Sequence, residues 1–258
     1  MRSLVSLLSV AALLFAATPA QAAAPKKDPV KAVKALLLPG KGFKFGDVTE
    51  IIVGGDPGIT IQRRTGSLMF GKGKIAASDI TAKYDEDAPG TFGDINDGRT
   101  IRIGTTVYSS GGEYKGRLPA GKRWYKQVKG GMTGDANGWF SQVVNVAEPA
   151  TLQALVKGGK LSGNAYTGTI TFGRLAKISP WFKATLPIRW DKTVLTYKLT
   201  VGGNGLPQRL TTSFPGTGIW DSPSWEGKTI SVETRYTSWG TKISIKAPAA
   251  NQVTTKLS

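Results

Sequence analysis

The sequence predicts a mainly β (α+β) fold: a large curved antiparallel sheet or half-open β-barrel with two or three short helices across the concave face. From Asp47 onward, apolar and polar residues alternate along many short segments, as in strands with one buried face. The 33 glycines, against 14 prolines, favour many tight turns. Helical periodicity is confined to short segments. The predicted order along the chain is helix, strands, helix, strands, and this order favours helices packed on one face of the sheet.

The first 22 residues are typical of a secretory signal peptide. Arg2 supplies the positive charge, Leu4 to Ala17 is apolar, and Ala20-Gln21-Ala22 is a cleavage site of small residues. The apolar run is about 14 residues long, and about 20 are needed to span a bilayer. The chain has no Cys for lipid attachment. We therefore expect a bacterial protein that is exported, extracellular or associated with the cell envelope, and not membrane-anchored.

Residues 23–46 are predicted to form a basic tail and an N-terminal amphipathic helix, and residues 47–258 a single β-rich domain. Asp28 is the expected N-cap and Pro29 the first helical residue, and Pro39-Gly40 ends the helix. The apolar face of this helix consists of Val30, Val33 and Leu37.

The first set of predicted strands follows this helix. Residues 51–53 and 59–61 alternate on either side of a turn at 54–58, and the pattern continues to Ile75. A strand is predicted from Thr100 to Tyr108, after a turn at residues 96–98, with its apolar residues on one face. Arg123 to Val128 is a further short strand.

The second half contains one clear helix and a second set of strands. Asn145 to Lys157 is predicted to be helical, with Pro149 near its start and Gly158-Gly159 at its end. Tyr166 to Leu175 is predicted to be a strand, and a short turn of helix is expected around residues 179–183. The remaining strands are predicted at 195–201, 206–214, 230–236 and 243–245.

The absence of His and Cys excludes most catalytic chemistry. Without His there is no usual general base for a Ser hydrolase, and without either residue the commonest zinc ligands are missing. Residues 94–98 resemble a calcium loop, but the ligand spacing is not met, so a hairpin turn is predicted. No local motif marks the paired carboxylates of a glycosidase. We therefore expect no enzymatic activity, no catalytic residue, no metal and no cofactor.

The formal net charge of +17 favours anionic partners. Because the protein is expected to be exported, nucleic acid is excluded, which leaves an anionic membrane or a wall polymer. A solvated face that maintains solubility is the simpler interpretation of each basic cluster. The candidate basic-surface residues are Lys31, Lys34, Lys115, Arg117, Lys122 and Arg123.

An apolar ligand would be lined by residues that alternation places on buried faces, together with an aromatic pair on a short segment between strands. These candidate lining residues are Ile101, Ile103, Val107, Ile170, Phe172, Trp181, Phe182, Leu195, Tyr197, Leu199, Ile230 and Val232. Most large aromatics in a β-rich chain are structural, and we expect this of Trp124.

Four segments in order resemble the actinobacterial exported lipoproteins of LolA/LppX-like type. They are Val107-Tyr108 with Leu118-Pro119-Ala120-Gly121-Lys122-Arg123-Trp124; Asn145 to Val156; Gly205-Leu206-Pro207-Gln208-Arg209; and Tyr236 to Gly240 with Ile243 and Ala247-Pro248. The resemblance spans roughly residues 47 to 250. It implies a half-open antiparallel β-barrel whose concave apolar face, partly covered by helices, holds acyl chains. The sequence departs from this family in lacking the lipobox cysteine.

Two functional hypotheses follow. In the first, the protein is an exported, non-enzymatic and monomeric binding protein that holds a lipid or other amphiphile in an apolar cavity. In the second, it is a basic module with a packed core that binds anionic wall polymer or lipid head groups on its surface, and such binding weakens with salt.

Overall fold

The computed structural model describes residues 27–85, 97–128, 138, 140–186, 190–219 and 222–258. The predicted signal peptide lies outside the described residues, as does most of the segment compared with a calcium loop. None of the helices in the described ranges combines the length and apolar character needed to cross a membrane.

Twelve strands in the described residues form one open sheet with the order β12-β6-β5-β4-β3-β2-β1-β11-β10-β9-β8-β7. Neighbouring strands are antiparallel, except for the parallel pair β12–β6. The strands are β1 Lys41–Val53, β2 Ile59–Gly71, β3 Lys74–Tyr84, β4 Gly98–Ile103, β5 Thr106–Gly111, β6 Trp124–Gln127, β7 Lys160–Ser162, β8 Ala165–Thr171, β9 Val194–Val201, β10 Pro207–Pro215, β11 Lys228–Lys242 and β12 Val253–Thr254. The predicted half-open, mainly antiparallel β fold is confirmed.

Four short α-helices lie in the described residues, more than the two or three predicted. They are α1 Pro29–Leu36, α2 Pro149–Gly158, α3 Phe172–Ile178 and α4 Pro180–Thr185. The predicted start of α1 is confirmed, because the Asp28 carboxylate accepts hydrogen bonds from the Val30 and Lys31 amides. The helix ends at Leu36, before the predicted stop at Pro39-Gly40. Val30, Val33 and Leu37 are buried in the core, as predicted.

The helices share a core with one face of the sheet, here called the inner face. Along the central strand β1, Phe43, Phe45 and Ile51 are buried, whereas Lys44 between them is exposed. Strand β1 begins at Lys41, earlier than the predicted change of period at Asp47. The boundary predicted at residue 47 therefore falls inside a strand.

The prediction of one strand from Thr100 to Tyr108 is wrong, because the chain reverses at Gly104 and forms the β4–β5 hairpin. Gly104 has a φ of +60°, a conformation that glycine adopts without steric cost. In the hairpin register Arg102 pairs with Val107. Val107 therefore shares a face with Arg102, and Ile101 and Ile103 lie on the opposite face.

The strand predicted from Tyr166 to Leu175 ends at Thr171, where α3 begins. The Thr171 hydroxyl accepts a hydrogen bond from the Arg174 amide and caps the helix. Phe172 and Leu175 are buried on the same side of α3. Phe172 is thus the first residue of a helix and does not continue the strand face of Ile170.

Candidate ligand-binding site

An extended segment, residues 140–147, lies against the middle of the inner face and is buried throughout. The Gln142 side chain accepts a hydrogen bond from Thr212 and donates one to Thr234, so it bridges β10 and β11. The Trp181 indole donates to the Gln142 carbonyl oxygen at 2.9 Å. This segment therefore joins the inner face of the sheet to α4.

Most of the predicted lining residues lie in the packed core between the sheet and the helices. Tyr197, for example, is buried on the inner face of β9, and its hydroxyl donates to the Leu155 carbonyl oxygen of α2 at 2.7 Å. The predicted residues that share this core are Ile170, Phe172, Trp181, Phe182, Leu195, Tyr197, Leu199, Ile230 and Val232.

A pocket of about 310 Å³ opens between this core and the adjoining part of the sheet. One wall is formed by the start of β3 and the end of β4, and the other by the first turns of α2 and α4. Its lining residues are Gly73, Lys74, Ile75, Ala76, Ala77, Ser78, Arg102, Gly104, Ala147, Glu148, Pro149, Ala150, Ile178, Pro180 and Trp181. Of the residues predicted from the sequence, Trp181 alone is among them.

One cationic side chain, that of Arg102, lies on the inner face in this mainly apolar pocket. Lys74 also lines the pocket, but the pairing of Phe70 with Ile75 and of Gly71 with Lys74 places its side chain on the opposite face of the sheet. The Arg102 guanidinium donates from Nε to the Gly104 carbonyl oxygen at 3.0 Å. Burial lowers the pKa of Arg102 from its usual value, but a guanidinium remains protonated in proteins. The pocket therefore has a fixed positive charge at the β4 end.

The carboxylate in the pocket wall, that of Glu148, is already engaged by three donors. Its Oε1 accepts from the Trp181 amide at 2.8 Å, and its Oε2 accepts from the Thr151 and Ser179 hydroxyls. Burial raises the pKa of Glu148, and these hydrogen bonds oppose the rise. The carboxylate caps the N-terminus of α4 and holds α4 against the start of α2.

Ser78 is the pocket residue whose polar group is most enclosed. It is 3% exposed, and within the part of the chain that the structure describes its Oγ has no hydrogen-bond partner. A buried hydroxyl without a partner is costly, so Ser78 can bond to a polar ligand atom or to water.

A second hollow, an open groove of about 580 Å³, runs between α2, α3 and the edge of β8. Ala150 and Ile178 line both hollows and separate them. Lys157 and Arg174 line the groove, and no carboxylate stands among its described lining residues. Ile170, one of the predicted lining residues, lines this groove and also belongs to the core.

Trp181 lines both the pocket and a small cavity of about 20 Å³. That cavity adjoins the Asp47–Arg64 ion pair, whose atoms Oδ2 and Nη2 are 2.8 Å apart and whose side chains are each 1% exposed. A space of about this size can hold one water molecule, which would satisfy the Arg64 Nη1 that lacks a protein partner among the described residues.

The predicted basic-surface residues occupy two elements. Lys31 and Lys34 are exposed on α1, and Lys115, Arg117 and Arg123 are exposed on the loop between β5 and β6. Lys122 is half-buried, and its Nζ donates to the Asn251 carbonyl oxygen.

Sequence reasoning missed Lys74, Ser78, Arg102 and Glu148. One signal was available in the sequence. Arg102 stands between two isoleucines, and alternation places Arg102 on the face opposite to both of them. In the described ranges no three acidic residues lie close enough to hold a metal ion.

No protein family's sequence profile matches this chain, and no curated protein matches it in sequence. Solved structures to which this chain is similar include the following three, all at low sequence identity. Lipoprotein LppX of Mycobacterium tuberculosis is 11% identical, with a TM-score of 0.36 over 84% of this chain and 94% of that one. A LolA superfamily protein of Nitrosomonas europaea is 8% identical, with a TM-score of 0.27 and coverages of 83% and 94%. A DUF1329 family protein of Desulfovibrio piger is 15% identical, with a TM-score of 0.31 and coverages of 84% and 96%.

Proposed function

We propose that this protein is an exported, non-enzymatic binding protein that holds one small amphiphile in the pocket between the sheet and helices α2 and α4. The observation that carries the proposal is the pocket itself. It has apolar walls from both layers of the fold, Ile75 from the sheet and Ile178 and Trp181 from the helical side, and a few polar groups. Apolar walls with a few placed polar groups are typical of small-molecule sites.

The pocket volume limits the size of the ligand. At about 310 Å³ the pocket lies at the lower end of the roughly 300–1,000 Å³ that such sites occupy. The inner face beside it is filled by residues 140–147 and by the core. These dimensions favour a single-chain amphiphile over a lipid with several acyl chains.

The alternative function, surface binding of an anionic polymer or membrane, is favoured by a different observation. The predicted lining residues of the inner face are packed, and five of the six predicted basic residues lie in exposed positions on α1 and the β5–β6 loop. Such binding would fall steeply with salt, whereas retention of an apolar chain would not.

The proposal is tested by closing the mouth of the pocket with a bulky side chain. Ala150 is exposed in the first turn of α2 and lines the pocket, so Ala150→Trp adds a ring at the mouth without crowding the core. Gln153→Trp is the matched control, because Gln153 is exposed on the same helix and lines only the groove. Displacement of a fluorescent single-chain fatty acid measures binding.

We expect the parent and Gln153→Trp to bind the probe with equal affinity, and Ala150→Trp to bind it at least tenfold more weakly. Binding should persist when the salt concentration is raised. If the parent binds neither this probe nor an uncharged alkyl probe of the same chain length, or if Ala150→Trp binds the probe as well as the parent does, the proposal is wrong.

A further inference from the structure

We infer that the ligand carries an anionic head, a carboxylate or a phosphate monoester, whose charge is held by Arg102 with the Ser78 hydroxyl beside it. This inference rests on the proposed function and names the ligand class of the same pocket. It follows from the charge inside the pocket and not from the overall charge of the chain.

In the part of the chain that the structure describes, Arg102 is not paired with an acid. The ion pairs there engage Arg64, Arg99, Arg209 and Arg235. Arg102 is half-buried in a mainly apolar wall, where an uncompensated charge is costly. An anionic ligand atom would compensate this charge and form charge-assisted hydrogen bonds with the guanidinium.

Glu148 does not take that place. Its two carboxylate oxygens already accept three hydrogen bonds from Thr151, Ser179 and the Trp181 amide, and no ion pair in the described residues links it to a cation. Among its described residues the pocket therefore presents one cation without an acidic partner, Arg102, and one carboxylate whose acceptor positions are largely filled. A cationic head would meet Arg102 unfavourably.

The position of Ser78 fits the same head group. Ser78 and Arg102 are cross-strand partners in the β3–β4 register, so their side chains lie side by side on the inner face. The Ser78 hydroxyl is buried and, in the described ranges, unpartnered. A carboxylate or phosphate held by Arg102 would offer it an acceptor oxygen. The apolar chain would then lie toward Ile178 and Trp181, on the opposite wall.

The experiment compares amphiphiles that have different head groups and the same alkyl chain. A fatty acid, a monoalkyl phosphate and the fatty alcohol of equal chain length are titrated against the full chain, together with acetate and inorganic phosphate. We expect both charged amphiphiles to bind about ten- to a hundredfold more tightly than the alcohol, the scale of a hydrogen bond to a charged group. Acetate and phosphate alone should bind far more weakly than either.

Variants of the pocket residues test which side chains hold the charged head. Arg102→Gln should abolish the preference for the charged amphiphiles while leaving the affinity for the alcohol unchanged. Ser78→Ala, which removes a hydroxyl that has no partner among the described residues, should reduce the preference with little effect on folding. Arg63→Gln is the control, because Arg63 is exposed on β2 and does not line the pocket. This substitution removes the same charge as Arg102→Gln does.

The outcomes separate this inference from the proposed function. Equal affinity for acid and alcohol, or an unchanged preference in both Arg102→Gln and Ser78→Ala, overturns the anionic head and does not affect the proposal of an amphiphile pocket. Acetate or phosphate that binds as tightly as the amphiphiles shows a free-anion site and also overturns it. Failure of every alkyl compound to bind overturns the proposed function itself.

Discussion

Glu148 and Trp181 join the start of α2 to the first turn of α4 through a hydrogen bond of 2.8 Å from the Trp181 amide to the Glu148 carboxylate. Both residues line the pocket. The Trp181 indole is fixed at its other end by the Gln142 carbonyl oxygen. The helical wall of the pocket is therefore held by hydrogen bonds as well as by apolar packing.

Replacing Glu148 should loosen this wall. Glu148→Ala leaves the Trp181 amide and two hydroxyls without their acceptor, and we expect a loss of about 1–3 kcal/mol in the free energy of unfolding. Glu148→Gln should cost less, because the amide oxygen can still accept from Trp181. Urea unfolding of both variants measures the difference, and an Ala variant as stable as the parent would contradict the capping role.

The stability attributable to Glu148 should depend on pH. Burial raises its pKa above the usual 4.5, so the folded state binds this proton more tightly than the unfolded state does. The resulting contribution to stability is fully present below the unfolded pKa and is lost as pH rises through the folded pKa. The stability of the parent minus that of Glu148→Gln should therefore fall as pH rises across this range. A difference that increases with pH would refute the assignment.

The buried pair Asp47–Arg64 should be sensitive to loss of one partner. Arg64→Met or Asp47→Asn leaves a charge buried without compensation, at a cost of about 3–5 kcal/mol. The double variant Asp47→Leu/Arg64→Met should recover most of that loss. Asp79→Asn is the matched control, because its pair with Arg99 is partly exposed and should contribute at most about 1 kcal/mol. Equal losses at the two pairs in urea unfolding would disprove this account.

Gly168 is required by the position of Tyr197. A Cβ on Gly168 would lie 2.6 Å from the Tyr197 hydroxyl oxygen, which is itself bonded to Leu155. Gly168→Ala should therefore cost about 1–3 kcal/mol through overpacking. Gly203→Ala, at a position with nothing within 4 Å of the added Cβ, should change the melting temperature little. Equal melting temperatures for the two variants would contradict the close approach.

Trp124 is expected to be structural. It is 9% exposed in β6, and the Arg99 guanidinium carbon lies 5.8 Å from the centre of its ring. Trp124→Ala should lower the free energy of unfolding by about 3–5 kcal/mol, and Trp124→Phe by less. Binding of the fatty-acid probe to the folded variant should be unaffected, because Trp124 does not line the pocket. A thermal melt with an unchanged midpoint would show that the residue has no structural role.

Elements with local signals were predictable from the sequence. The first helix is marked by Asp28 and Pro29, and the β1–β2 hairpin by the glycines of residues 54–58. The β4–β5 hairpin was missed because alternation continues from Ile103 to Val107 across the turn, and a single glycine marks the reversal. Helix α3 was missed because Phe172 also fits the alternation of the preceding strand.

The pocket could not be predicted, because its residues come together only through the order of the strands. Ser78 and Arg102 are neighbours by the pairing of β3 with β4, and Glu148 reaches them from a segment across the inner face. The residues nominated by alternation were the apolar ones, and most of these lie in the packed core. Alternation identifies which side of a strand is buried, but it does not distinguish a packed face from a ligand site.

The most direct measurement is a crystal structure of the full chain with an ω-brominated single-chain fatty acid, whose bromine is located by its anomalous signal. We expect one bromine site inside the pocket, between Ile75 and Trp181. This site should be absent in crystals of Ala150→Trp. Bromine found only on the outer surface or between molecules of the lattice, with the pocket empty, would contradict this expectation.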